Sequence, residues 1–295
     1  MNVSAPRISV GMPVYNGEPY LEEAIQCVLR QTYEDFALFI SDNASRDRTE
    51  QICRDYASKD KRVRYTRNTE NIGAAKNYNR VFHLASGAPY FRWFNADDVS
   101  APDLHEKCIA VLESRPDVVV AYGQTGIIDR EGKLTTRYAD NLDLQQDNAD
   151  ERFIQFYKSV GLTNIIYGLM RTSAVAETAL MGDGNHPDGD INFMAELTLY
   201  GKFVEISDLL FYRRMHPGAS TWDRDDDAKS RAFWTGVNRT NFTFPYWKYY
   251  LANFRAVRAA PIGRREKLRV QRYILQSMIW LRRQLLTEIW YEFLS

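Results

Sequence analysis

Short apolar runs alternate with amphipathic stretches through the first 125 residues. Residues 8–12 form an apolar run that stops at Pro13, the pattern of a buried strand. Leu21, Ala24, Ile25, Val28 and Leu29 then recur at helical spacing, which predicts a helix over 20–29. A second run, 36–40, predicts a strand, and Ser45 or Asp47 can cap a helix reaching about residue 58. Residues 63–66 read as a third strand and 73–85 as a helix that Ser86 and Gly87 end. Residues 90–94 read as a fourth strand, 102–113 as a helix with proline in its first turn, and the β-branched run 118–122 as a fifth strand.

That alternation predicts an α/β fold, a doubly wound sheet with helices on both faces. Such sheets bind ligands beyond the carboxyl ends of their strands, where strand order reverses. The residues following the strands therefore matter most. They are Pro13, Val14, Tyr15 and Asn16; then Ser41, Asp42 and Asn43; then Asn95, Ala96, Asp97 and Asp98. All are polar or turn-forming, so one ledge of the sheet should gather them.

Beyond residue 125 the pattern is less regular. Asp129, Arg130, Glu131 and Gly132 suit a hairpin turn, 137–150 reads as a loop and 165–170 as a strand. Residues 181–189 hold three glycines with His186 and Pro187 and should be a loop. A helix should start at Asp190 and run to Tyr200, closed by Gly201, with a strand over 208–214 after it. Residues 264–294 read as one long helix with apolar positions at Leu268, Leu275, Ile279, Leu286, Ile289 and Phe293. The division expected is a catalytic domain over 1–222, split into halves 1–125 and 126–222, and a helical extension over 223–295. Asp225, Asp226 and Asp227 read as a solvated helix start.

Composition narrows the function. The 295 residues carry 38 Lys and Arg against 38 Asp and Glu, so no basic excess calls for a nucleic-acid partner. Cys27, Cys53 and Cys108 are odd in number and form no C-x-x-C pair, which fits a reducing cytoplasm better than a disulfide framework. No run of 18 apolar residues predicts a membrane span, and the short polar start does not look like a signal peptide. The basic, aromatic C-terminal helices can pack on the catalytic domain, form a homodimer, or make peripheral contact with the inner face of a membrane.

The candidate chemistry sits at the strand ends. Adjacent Asp97 and Asp98 repel each other unless a cation neutralises them, and Mn²⁺ or Mg²⁺ bridging two phosphates meets that need. They can also simply open the next helix. Asp42 can accept the N–H of a pyrimidine base, or serve only as a turn residue. A carboxylate after a flexible loop suits a general base, and Asp190 fills that place with Asp188 as its rival. A helix cap is the plain alternative for Asp190. Glu196 reads as structural or as an acceptor contact.

Four strings resemble glycosyltransferase family 2: Ile8 to Asn16, Ser41 to Asp47, Asn71-Ile72-Gly73 leading to Asn79, and Trp93 to Asp98. Downstream, Asp190 before Ala195, Glu196 and Leu197, and the string from Tyr212 to Ser220, resemble the acceptor half of the same family. The resemblance implies a GT-A fold, a Rossmann-like central mixed sheet flanked by helices, here with a C-terminal helical extension. It implies an inverting, metal-dependent transfer of a sugar from a nucleoside-diphosphate sugar, UDP favoured, to a carbohydrate or lipid-linked acceptor in polysaccharide or glycoconjugate biosynthesis. Pro13, Tyr15 and Asp42 would hold the base, and Asn71, Gly73 and Asn79 would lie against the donor. Asp97 would bind the metal, with Asp98 near the sugar or ribose and His216 completing the metal site. Arg213 or Arg214 would meet the departing diphosphate, and Asp190 would be the base. Two departures stand out: the family usually has acids where Asn95 and Asn43 stand. Asn95 can still donate to a ribose hydroxyl or phosphate oxygen. It also leaves room for a catalytically silent binding module. A nucleotidyltransferase, the other rival, would need a glycine-rich phosphate loop that Val10 to Pro13 does not offer.

Overall fold

The computed structural model describes residues 5–85, 87–182, 188–219, 233–234 and 244–294. Asp225 to Asp227, Ser220, His186 and Pro187 lie outside the described residues. The strands are β1 (Ile8–Val14), β2 (Phe36–Asp42), β3 (Val63–Arg67), β4 (Tyr90–Trp93), β5 (Val99–Ser100), β6 (Val118–Ile128), β7 (Leu134–Tyr138), β8 (Leu169–Arg171) and β9 (Lys202–Arg214). The helices are α1 (Leu21–Leu29), α2 (Thr49–Lys59), α3 (Ala74–Leu84), α4 (Leu104–Ser114), α5 (Ala149–Ser159), α6 (Thr172–Ala176), α7 (Gly189–Leu197), α8 (Pro245–Ala259), α9 (Arg264–Trp280) and α10 (Arg282–Leu294).

One mixed sheet runs in the order β3-β2-β1-β4-β8-β6-β9-β5, with β7 paired to β6. β1 lies parallel between β2 and β4, with Ile8 opposite Phe36 on one side and Tyr90 on the other. Every residue of β1 and β2 is buried, as expected for parallel strands covered on both faces. Gly11 must lack a side chain: a Cβ there would sit 2.9 Å from the Phe91 ring and 3.0 Å from Val81.

The antiparallel strand β8 between β4 and β6 restores the original direction, so β6 and its parallel neighbour β9 end on the same side as β1, β2 and β4. The two residues of β5 cross to the far edge and pair with β9, Val99 opposite Tyr212 and Ser100 opposite Phe211. This short clamp pulls the segment after β4 across the sheet and sets Asp97 and Asp98 beside the end of β9.

β1 to β4 and α1 to α4 agree with the hydrophobic periodicity to within a few residues, β5 is not among the expected strands, and the strand expected over 118–122 is β6, which runs on to Ile128. Four later elements differ. β9 starts at Lys202, six residues before the apolar run that marks it, because in its first half only Phe203 is buried. The run at 165–170 splits into a 3₁₀ turn, Asn164–Tyr167, and the short β8. The loop expected over 137–150 is flanked closely by β7 and α5. The single helix expected over 264–294 is two helices broken at Leu281. α8, within an aromatic-rich stretch, packs against α7 and α9. Val257, Ala260, Val270 and Ile274 join the same hydrophobic core as the sheet.

Candidate active site

The loops after β1 and β2 are stitched together. The Asn16 amide donates to Ser45 Oγ at 2.9 Å, Gly17 to Thr49 Oγ1 at 2.9 Å and Glu18 to Asp47 Oδ2 at 3.1 Å. In return Arg46 N–H donates to Asn16 Oδ1 at 2.8 Å. Asp47 and Ser45 thus bind the neighbouring loop, and neither holds the cap position of α2, which is Arg48; Asp47 Oδ1 accepts the Thr49 N–H at 3.0 Å from one residue further out. Pro13 is buried within β1, and Tyr15 follows it as an exposed aromatic at the rim.

Asp42 is fully buried. Its Oδ1 accepts the Ser45 N–H at 2.8 Å, and its Oδ2 accepts the Tyr65 hydroxyl at 2.8 Å and Arg67 Nη1 at 2.7 Å. Both the turn role and a paired charge are present, and Arg67 and Tyr65 are the groups that accompany Asp42 toward any ligand. Asn43 stitches the next loop: its amide donates to Asn71 Oδ1 at 2.9 Å, while its oxygen accepts Asn68 Nδ2 at 2.9 Å and the Ile72 N–H at 3.0 Å. An aspartate there would keep the oxygen contacts but lose the donor to Asn71. Gly73 starts α3 with φ of 84°, a conformation that favours glycine. Asn79 grips the backbone ahead of α7, accepting the Met181 N–H at 2.9 Å and donating to the Gly182 carbonyl at 2.7 Å.

The acidic pair meets β9. Asp98 is buried, and its Oδ1 accepts the Arg214 backbone N–H at 2.9 Å. Burial, and then the charge of Asp97, push its carboxyl up to about 8. Asp97 stays partly open, with Oδ2 3.0 Å from His216 Nε2. The His216 ring leans on Tyr20 at 4.8 Å between centroids, and its Nδ1 accepts the Gly218 N–H at 3.2 Å. That contact puts the imidazole proton on Nε2, pointed at Asp97. Asn95 sits between two tyrosines: Oδ1 accepts the Tyr78 hydroxyl, and Nδ2 donates to Tyr167 Oη at 2.6 Å. A carboxylate at this position would add negative charge beside Asp97 and the buried Asp98, and it would lose the donor to Tyr167.

The two arginines ending β9 divide their work. Arg214 is buried, donating from Nε to the Asp97 carbonyl at 2.9 Å, from Nη1 to the Arg130 carbonyl at 2.9 Å and from Nη2 to Glu23 Oε2 at 2.6 Å. It also lies over the Tyr20 ring at 4.7 Å. In this arrangement its guanidinium braces the acidic loop from behind. Arg213 donates to the Leu162 carbonyl at 2.8 Å and to Asn164 Oδ1 at 2.7 Å. Burial opposes its charge, yet Tyr167, Asp98, Asp97 and Asp190 together hold its pKa above the ordinary value.

Asp190 lies in the first turn of α7. The cap position is Asp188, left-handed with φ of 63°, so the cap alternative for Asp190 does not hold. Glu196, on the same helix, is buried and accepts the Ala179 N–H at 2.9 Å. The charges of Asp97 and Asp190 act together on Tyr78, Tyr167 and Arg213. Asp97, Asp98 and Asp190 therefore lie within electrostatic reach of Arg213, and Asn95 touches the two tyrosines that feel the same charges. Tyr78, Tyr167, Tyr20 and Arg67 were not singled out from sequence. Tyr78 lies one residue from Asn79 on α3, but nothing local marks Tyr167, which only β8 pairing brings to Asn95.

Among the described residues no three His, Cys, Asp or Glu side chains cluster to hold a metal alone. Asp97 and His216 supply two donors at a 3.0 Å separation, which matches two adjacent ligands each about 2.1 Å from an octahedral ion. The imidazole in this pair suits Mn²⁺ better than Mg²⁺, which prefers oxygen. The fit requires donor phosphates as the remaining ligands.

The profile of Glycosyl transferase family 2 matches residues 9–174, more than half of the chain, and the chain belongs to that family. Asp190, Arg213 and His216 lie beyond the matched residues. An uncharacterized glycosyltransferase of Methanocaldococcus jannaschii is 31% identical over 135 residues, 45% of this chain and 46% of the relative. One of Haemophilus influenzae is 24% identical over 252 residues, 82% of this chain and 75% of the relative. The chain thus spans less than half of the first relative and three-quarters of the second. Among solved structures, TarS 1–349 of S. aureus with UDP-GlcNAc superposes with a TM-score of 0.67 at 15% identity, over 92% of this chain and 72% of that one. The mannosyltransferase PcManGT of Pyrobaculum calidifontis, in complex with GDP-Man and Mn²⁺, gives 0.54 at 14% identity, over 97% and 85%. These neighbours share the GT-A fold with this chain.

Proposed function

We propose that this chain is an inverting glycosyltransferase that moves a sugar from a nucleoside-diphosphate sugar to an acceptor hydroxyl. What supports the proposal is a family 2 fold in which Asp97 and Asp98 follow β4 and, with Asp190 of α7, lie within electrostatic reach of Arg213 near the end of β9. Inversion needs the acceptor hydroxyl to attack the anomeric carbon from the face opposite the diphosphate. Asp190 takes the hydroxyl proton as that bond forms, and Arg213 meets the charge growing on the diphosphate. Tyr15 offers a stacking face to the base above Pro13, while Asp42 with Arg67 recognises its edge. Asn71, Gly73 and Asn79 shape the loop and the α7 approach that face the donor, and Asn95 and Asp98 lie toward its ribose and sugar. No covalent nucleophile is needed.

Asp97 and His216 would hold a divalent ion, Mn²⁺ being favoured, which when bound would neutralise the diphosphate as a Lewis acid. To hold an ion His216 would need its Nε2 lone pair free and its proton on Nδ1, which is incompatible with the Gly218 N–H contact to Nδ1. A UDP-sugar is the favoured donor. It rests on Asp42, a carboxylate able to accept the N–H of a pyrimidine, and on the UDP-GlcNAc bound by TarS, while the GDP-Man of PcManGT keeps a guanine donor in the test panel. Residues 1–222 would be the catalytic unit, with 126–222 as its acceptor half and 223–295 as the extension. The acceptor would be a carbohydrate or a lipid-linked sugar.

The test is a panel of UDP-, GDP- and dTDP-sugars scored by thermal protection with Mn²⁺ and with chelator. One donor should raise the melting temperature only with metal, and Asp97→Ala should abolish that rise. Equal protection with chelator would remove the metal from the proposal, and no protection by any donor would remove the transferase reading.

A further inference from the structure

The C-terminal helices present an outward face that the core does not use. On α9, Val270 and Ile274 are buried, whereas Leu268, Leu275 and Ile279 are each more than half exposed. Trp280, at the end of the helix, is 85% exposed. Leu286 and Trp290, four residues apart on α10, are also more than half exposed. Isolated exposed leucines are ordinary; this many large apolar side chains on two consecutive helices, two of them tryptophans, form a patch.

Arginines run through the patch at the same spacing. Arg265, Leu268, Arg272, Leu275 and Ile279 follow one another three or four residues apart and so share one face of α9. Arg282 and Arg283 open α10, followed by Leu286. Among the described residues Arg264, Arg265, Arg272, Arg282 and Arg283 form no ion pair, while Arg269 pairs with the buried Asp150.

The charge of the whole chain is balanced, but its distribution is not. Residues 245–294 hold ten Lys and Arg against three Glu and no Asp, whereas the rest holds 28 against 35. Two of the three glutamates are aimed at backbone amides. Glu266 accepts the N–H groups of Gly263 and Ala149, and Glu288 those of Tyr246 and Trp247. Their charge is used to start α9, α5 and α8, which leaves the outward face positive.

A basic face studded with leucine and tryptophan needs an anionic partner with an apolar interior. A second copy of the chain meeting the same patch would set arginines against arginines, which costs energy rather than gaining it. Among the described residues no helix is long and apolar enough to cross a membrane, so contact would lie in the surface plane. An amphipathic helix of this composition sinks its apolar side chains about 5–10 Å into the headgroup boundary while arginines meet lipid phosphates.

We propose that α9 and α10 dock this chain on an anionic phospholipid surface through Leu268, Leu275, Ile279, Trp280 and the arginines beside them. The proposal does not rest on the transferase reading, because its readout is lipid binding.

The test is co-sedimentation of the full chain with vesicles of phosphatidylcholine, with and without phosphatidylglycerol. The chain should pellet with the anionic vesicles, lose most of that binding at high salt, and remain in solution with phosphatidylcholine alone. Each basic residue near an anionic leaflet strengthens binding roughly fivefold. The triple substitution Arg265→Gln, Arg272→Gln, Arg283→Gln should therefore weaken binding about a hundredfold. Ile279→Ser with Trp280→Ser should also release the chain. Both variants change exposed side chains, so both should keep the wild-type melting temperature and its rise with the donor. No pelleting on anionic vesicles, or binding that neither variant alters, overturns the proposal. A salt-resistant dimer that Ile279→Ser with Trp280→Ser dissolves, without vesicle binding, assigns the face to a second copy instead.

Discussion

Replacing Arg214 by methionine separates a brace from a catalytic cation. The guanidinium is buried and donates to the Asp97 and Arg130 carbonyls and to Glu23, and it covers the Tyr20 ring. Methionine fills similar space but supplies none of these donors. Breaking a buried ion pair by removing one partner costs about 3–5 kcal/mol. Glu23 is half exposed and rehydrates once released, so the lower end, about 3 kcal/mol, is expected. For a domain of this size that corresponds to a fall of roughly 6 °C in melting temperature. Differential scanning calorimetry of the two proteins at equal concentration measures it. Arg214→Lys keeps the charge without the planar fork and should recover less than half of the loss. A melting temperature within about 1 °C of wild type, combined with a large fall in turnover, would refute the brace and return Arg214 to the leaving group.

Two further substitutions test the site and its scaffold. Asp190→Asn should lower turnover by about 10²–10⁴-fold while leaving metal-dependent donor protection intact; wild-type turnover would place the base elsewhere. Glu196 is buried, and burial pushes its carboxyl up to about 7 from 4.5. Because the folded carboxyl holds its proton over that interval while the unfolded one does not, stability falls as pH rises from about 4.5 to 7. Glu196→Gln keeps the oxygen for the Ala179 amide and removes the titration. Its stability relative to wild type should therefore rise by about 3 kcal/mol between pH 4 and 8, read from urea melts, and a constant difference would contradict the assignment.

The alternating apolar runs make β1 to β4, the start of β6 and α1 to α4 legible in the sequence, because each element must bury apolar side chains, whereas the two-residue β5 leaves no such pattern. The strand-end rule likewise selects Asp42, Asp97 and Asp98 as residues near one ledge. What local pattern does not carry is which neighbour each of them meets. Asp42 is held by Tyr65 and Arg67 of β3 because those strands pair in register. Asn95 lies between Tyr78 and Tyr167, whose positions in the chain are separated by most of the sheet's connections. The single helix read over 264–294 breaks at Leu281, where the apolar period alone gives no signal to stop.

Arg213 and Arg214 show the division most sharply. Adjacent on a strand, they point to opposite faces, a period-two consequence that sequence already implies. Only the fold decides which face holds the acidic pocket and which holds Glu23 and the hairpin carbonyls. Sequence determined that acids, an imidazole and arginines stand at or just beyond strand ends in a family 2 pattern. The tertiary structure decided how they meet, through β5. Two residues paired to β9 draw Asp97 within 3.0 Å of His216, a contact across 119 residues of chain, because hydrogen-bond register, unlike periodicity, is fixed between strands and not within them.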